Sequence, residues 1–185
     1  MSNIIFLGSS VTYGSASGGI SFVDYLCERN GFTMIKEAVS GTTLADIDEQ
    51  SYVSRLKALD VDECDLFVCQ LSTNDANLKL PINEVEEAVD FIIDYVKNKW
   101  KCQIAFYTNP RYDSAEYAAM VEMIKDKAKI NNLLLINMWD DEELNKKIDQ
   151  NRDYYMDDPI HPTKAGYLEI ITPFMEKFGI FNFQE

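Results

Sequence analysis

Five short apolar runs, Ile4–Leu7, Thr33–Ile35, Leu66–Leu71, Ile104–Tyr107 and Leu133–Met138, are spaced along the chain with helical patterns between them. None carries a helical period, which suits strands buried on both faces of a parallel sheet. Asn83 stands as an N-cap, with Glu86 at the capping-box position and Val85, Ala88, Val89, Ile92 and Val96 at helix spacing. Ser114 opens a second helix with Tyr117, Val121, Ile124 and Ala128 on one face. A last helix begins near Thr163, with Leu168, Ile171, Met175 and Phe178 aligned and Pro173 as a kink. Weaker helical patterns cover Ser21–Arg29 and Ala45–Leu59, and Asp140–Asp158 reads as a solvated helix plus loop. The alternation predicts an α/β fold, a three-layer α/β/α sandwich with about five parallel strands, in one domain over residues 1–185.

Charge removes several partners. Lys and Arg number 17 against 31 Asp and Glu, a net charge of −14 over 185 residues. Such a surface repels phosphates, so neither nucleic acid nor an anionic membrane is an expected partner. The N-terminus lacks a basic region and its apolar run is too short for a signal-peptide core, and no stretch approaches the roughly 18 apolar residues of a membrane span. Cys27, Cys64, Cys69 and Cys102 lie in or beside apolar segments and read as reduced thiols, which points to the cytoplasm. Their spacing fits no zinc motif, and no metal or other cofactor is expected.

In open parallel sheets, ligands sit beyond the carboxyl ends of the strands, near the switch in strand order. Gly8-Ser9-Ser10-Val11-Thr12-Tyr13-Gly14 follows the first apolar run. It is no P-loop, no dinucleotide fingerprint and no G-x-S-x-G elbow. A serine hydroxyl there needs a base, and the chain holds a single histidine, His161. Asp158, three residues earlier, is placed to accept the Nδ1–H and hold the ring in the productive tautomer. Ser40-Gly41-Thr42 and Ser72-Thr73-Asn74-Asp75 follow the second and third runs and offer a close-approaching N–H and an amide to an oxyanion. Each segment alone reads equally as a turn or a cap. Their conjunction at one sheet edge is what points to acyl-transfer chemistry.

In that order, Gly8-Ser9-Ser10, Gly41, Asn74 and Asp158-Pro159-Ile160-His161, the segments resemble the four blocks of the SGNH, or GDSL-type, hydrolases. The resemblance spans nearly the whole chain, and its most specific part is the final DPIHPTKAGY stretch, Asp158–Tyr167. It implies a flavodoxin-like sandwich and hydrolysis of esters, or sometimes thioesters, through an acyl-enzyme. By position it implies Ser10 as nucleophile, His161 as general base and acid, and Asp158 as its orienter. The N–H groups of Ser10 and Gly41 and the Asn74 side chain would form the oxyanion hole. Ser9 stands where the family name has Asp, and Ser72 where the third block usually has Gly.

The expected partner is therefore a small-molecule ester, with a short acyl group on a sugar or another soluble metabolite. Loops near Asn77–Pro81 and Asn109–Asp113 are expected to line the pocket, with Arg111 either reading an anionic group or held in a surface salt bridge. The alternative is a flavodoxin-like binding module with no catalysis, holding a flavin or phosphate ligand at the first loop.

Overall fold

The computed structural model describes residues 2–182. Five strands, β1 (Asn3–Gly8), β2 (Thr33–Ala38), β3 (Leu66–Gln70), β4 (Gln103–Tyr107) and β5 (Leu134–Ile136), form one parallel sheet in the order β2-β1-β3-β4-β5. Each matches one of the apolar runs read from the sequence. A strand buried on both faces has no polar side to alternate, and in β3 all five residues are buried.

Alternate side chains then divide two cores. Ile5, Leu7, Phe67, Cys69, Ile104 and Phe106 face α3 (Tyr52–Ala58), α5 (Ile82–Lys99) and α6 (Ala115–Asn131). Ile4, Phe6, Leu66, Val68, Ala105 and Tyr107 face α2 (Phe22–Asn30), α7 (Glu142–Gln150) and the C-terminal helical stretch 164–176. This is the three-layer sandwich that the alternation predicts. Because β2 lies on one side of β1 and β3 on the other, the chain switches direction beside β1. The crevice beyond the carboxyl ends of those strands is where such a sheet binds ligands.

Several local expectations change. Pro81, not Asn83, occupies the N-cap of α5, so Asn83 lies in the first turn. Proline's fixed φ, here −55°, already sets the chain's entry without a capping side chain. The apolar face of α5 is as read, with Ile93 added. Ser114 does cap α6, accepting from the Tyr117 N–H at 3.0 Å. The helix predicted over Ala45–Leu59 shrinks to Tyr52–Ala58, because Asp46 and Asp48 take local donors instead: Ser51 and Ser54 Oγ at Asp46, the Gln50 N–H at Asp48. The final helix is interrupted ahead of Pro173 by a π-helical turn, Tyr167–Ile171, and a residue gained there rotates the face. Tyr167 and Ile170 are buried in consequence, while Leu168 is only half-buried.

Candidate active site

Ser9 occupies the N-cap position of a single short helix, α1 (Ser10–Tyr13), at the end of β1, without a capping side-chain bond. The turn is tight because residue 8 is glycine. A Cβ there would lie 1.9 Å from Thr12 Oγ1 and 2.8 Å from Gln70 Oε1, so no other residue fits. Ser10 is only 6% exposed, more enclosed than a turn hydroxyl is expected to be. Its Oγ lies 2.7 Å from His161 Nε2, across 151 residues of sequence. His161 Nδ1 in turn lies 2.7 Å from Asp158 Oδ2.

Asp158 is fixed by its own loop. Its Oδ1 accepts from the N–H groups of Ile160 at 2.7 Å and His161 at 2.8 Å. Partial burial pushes its carboxyl up, but those two N–H donors and the imidazole outweigh it and hold the group below the ordinary carboxylate range. An ionised Asp158 selects the tautomer with a proton on Nδ1, leaving Nε2 free to accept the Ser10 proton.

The other two predicted residues come from the neighbouring strand ends. Gly41 follows β2 with φ +81°, a left-handed conformation that suits glycine. Asn74 sits in α4 (Thr73–Asn77) after β3, and its Nδ2 donates to the Thr42 carbonyl at 2.8 Å, which leaves one amide proton over. That bond ties Asn74 to the residue next to Gly41. Ser72, the departure from the family pattern, caps α4: its Oγ accepts the Asn74 N–H at 3.2 Å. Ser9, the other departure, is fully buried and accepts from the Tyr52 hydroxyl at 2.9 Å.

Beneath these loops lies a polar floor that the sequence did not reveal. Gln70 Oε1 accepts from Ser9 N at 2.9 Å, Thr12 N at 3.3 Å and Thr12 Oγ1 at 2.8 Å, while Tyr107 OH meets Thr12 Oγ1 at 2.5 Å. Tyr167 OH donates to the Val11 carbonyl at 2.7 Å, and Tyr117 OH to the Leu71 carbonyl at 2.9 Å. With Tyr52, these are the four largest fully buried side chains, and each aims its hydroxyl at a site-bearing loop. Burial pushes all four phenols well above their usual range, so they act as neutral donors.

Two charged residues complete the floor. Arg55 is 8% exposed and uses all five N–H groups: on Gln50 O at 2.9 Å, Glu37 O at 3.0 Å, Glu37 Oε1 at 3.1 Å, and Gly8 O and Thr42 Oγ1 at 2.9 Å each. It thereby clamps the end of β1 to the loop carrying Gly41 and Thr42. Asp75 accepts from the N–H groups of Leu44 and Ala45, both at 2.8 Å, and its burial raises its carboxyl despite those bonds. Asn109 reaches the other side, donating through Nδ2 to the Ile160 carbonyl beside His161 at 3.1 Å.

A cavity of about 260 Å³ opens at His161, lined by Ser15, Ala16, Asp157, Asp158 and His161. It draws on the turn after α1, not on loops 77–81 or 109–113 as the sequence suggested. Asn109 is 1% exposed, and Arg111 is engaged by Glu142 and the Trp139 carbonyl, the salt-bridge alternative. Among the described residues no cluster of His, Cys, Asp or Glu is arranged to hold a metal ion, and no helix is long and apolar enough to cross a membrane.

A parallel-sheet sandwich with a hydroxyl–imidazole–carboxylate chain beside its switch point defines a class, hydrolases built on a flavodoxin-like sandwich. Within that class the chain belongs to the GDSL-like Lipase/Acylhydrolase family, whose pattern it matches over residues 6–168. Comparison with curated proteins gave no match. Among solved structures, a member of the lipolytic protein G-D-S-L family from Veillonella parvula superposes with TM-score 0.79 at 16% identity, over 97% of this chain and 100% of that one. The psychrotrophic esterase EstA from Pseudoalteromonas sp., inhibited by monoethylphosphonate, gives 0.75 at 17% identity, over 96% of each chain. An acetyl xylan esterase gives 0.75 at 15% identity, over 96% of this chain and 100% of that one.

Proposed function

We propose that the protein hydrolyses carboxylic esters of small polar substrates carrying short acyl groups, through an acyl-serine intermediate. The observation that carries this reading is the unbroken chain from Ser10 Oγ through His161 to Asp158, with both links at 2.7 Å. In the first step His161 Nε2 takes the Ser10 proton as Oγ attacks the ester carbonyl. The N–H groups of Ser10 and Gly41 and the free amide proton of Asn74 receive the oxyanion. His161 then hands its proton to the departing alcohol. Water, activated by the same imidazole, releases the acid and restores Ser10.

A small polar substrate is supported by the shallow hollow of about 260 Å³ at His161, with its lining of hydroxyl, carboxylate and alanine. A carbohydrate alcohol fits such a lining, and the likeness to an acetyl xylan esterase agrees with it. The four free thiols suit a cytoplasmic setting. The binding-module alternative loses support because the Ser10 hydroxyl is engaged by His161, and the Ser9 and Thr12 N–H groups are taken up by Gln70.

A panel of p-nitrophenyl esters tests the reading. It requires kcat/KM to fall as the acyl chain lengthens beyond a few carbons, with turnover lost in Ser10→Ala. A preference for long acyl chains overturns the substrate assignment, and turnover that survives Ser10→Ala overturns the mechanism.

A further inference from the structure

Cys64 and Cys102 lie at the opposite end of the sheet from Ser10, just ahead of β3 and β4. Those strands pair with Leu66 opposite Gln103, so the segments carrying the two cysteines enter the sheet side by side, about 4.8 Å apart at the strands. The two Sγ atoms are 3.6 Å apart, in direct contact. Cys64 is 8% exposed and also donates to the Leu66 carbonyl, whereas Cys102 is half-buried and reachable from solvent. Neither belongs to the site around Ser10. We propose that Cys64 and Cys102 form a dithiol modification site that exchanges with small-molecule disulfides and closes into an intramolecular disulfide.

The contact makes the two thiols unequal. Half-buried Cys102 meets solvent first, whereas the contact with Cys102 and burial push the Cys64 thiol up. Cys102 is therefore the attacking thiol and Cys64 the resolving one. The Cys102 thiolate attacks one sulfur of the small disulfide, whose S–S bond breaks, and the released thiolate takes a proton from water. Cys64 then gives its proton to solvent and attacks Cys102 Sγ, expelling the second small thiol. The protein loses two electrons and two protons, and the small disulfide becomes two thiols. Closure requires the sulfurs to move from 3.6 Å to about 2.05 Å, which side-chain rotation supplies between backbones already adjacent. The bond links residues 38 apart and staples β3 to β4 where no catalytic group stands.

The test treats the reduced, folded protein with cystamine and follows intact mass and a peptide map. The expected product has lost two hydrogens, carries one crosslink joining the Cys64 and Cys102 peptides, and reverts with dithiothreitol. Cys64→Ser should stall with one cysteamine adduct on Cys102. An unreactive Cys102, a stable cysteamine adduct on wild-type Cys102 without the crosslink, or a crosslink through Cys27 or Cys69 would each overturn the proposal.

Discussion

The rim of the site and the floor beneath it are built on opposite terms. At the rim, the loop bearing Asp158 and His161 is partly exposed and is held by short bonds within itself, Asp158 to the N–H groups two and three residues on. In the floor, Ser9, Thr12, Gln70, Tyr107 and Tyr52 are almost wholly enclosed and joined across 43 to 95 residues of sequence. On the proposed mechanism, rim residues carry chemistry at little consequence for stability. Floor residues carry stability, and reach the chemistry only by fixing where Ser10, Gly41 and Asn74 stand.

Substitutions should separate the two. Ser10→Ala or His161→Ala is expected to lower kcat by about 10⁶-fold with an unchanged urea midpoint. A matching fall in stability would place these residues in the floor. Asp158→Asn should lower kcat by about 10⁴-fold, since an amide favours the wrong tautomer. Arg55→Met should do the reverse. It is expected to remove about 3 kcal/mol of stability, measured by urea unfolding, because the buried Gly8 carbonyl and Thr42 hydroxyl lose their donor. Any fall in kcat should be smaller than that of Asn74→Ala, about 100-fold or more. Tyr52→Phe leaves Ser9 without its donor and should cost about 1 kcal/mol with kcat nearly intact.

Acid sharpens the same contrast. Asp158 is held below the ordinary carboxylate range, so its contribution to stability is present above that range and is lost as pH falls through its lowered value. The Tm gap between wild type and Asp158→Asn should therefore close on strong acidification. A gap that stays constant down to strong acid would contradict that role for Asp158.

How legible each region was follows from the same difference. Continuous apolar runs exposed β1, β3 and β4, because a strand covered on both faces leaves few polar positions to blur the pattern, while at the edge strand β2 the run covered only its first half, Thr33–Ile35. The rim was legible because its residues are rare or ordered: one histidine in 185 residues, an aspartate three before it, and glycine, serine and asparagine at successive strand ends. Floor residues left no local mark. Gln70 and Tyr107 lie within apolar runs and Arg55 within a weak helical pattern, with nothing local to mark them until the fold brings them to the loop after β1. Tyr167 was inside the recognised DPIHPTKAGY stretch, yet its reach to Val11 depends on the π-helical turn, which sequence period does not show. The misread pocket loops have a similar cause, since the cavity joins residues 15–16 to 157–161 across the whole chain.

One measurement bears on the nucleophile itself. Wild type and Ser10→Ala are treated with a fluorophosphonate, and the adduct is located by mass spectrometry. Stoichiometric phosphonylation of Ser10 in wild type, absent from Ser10→Ala and much slower in His161→Ala, is the expected result. Labelling that persists in Ser10→Ala, or an unlabelled wild type, would contradict the Ser10–His161–Asp158 chain as the catalytic centre.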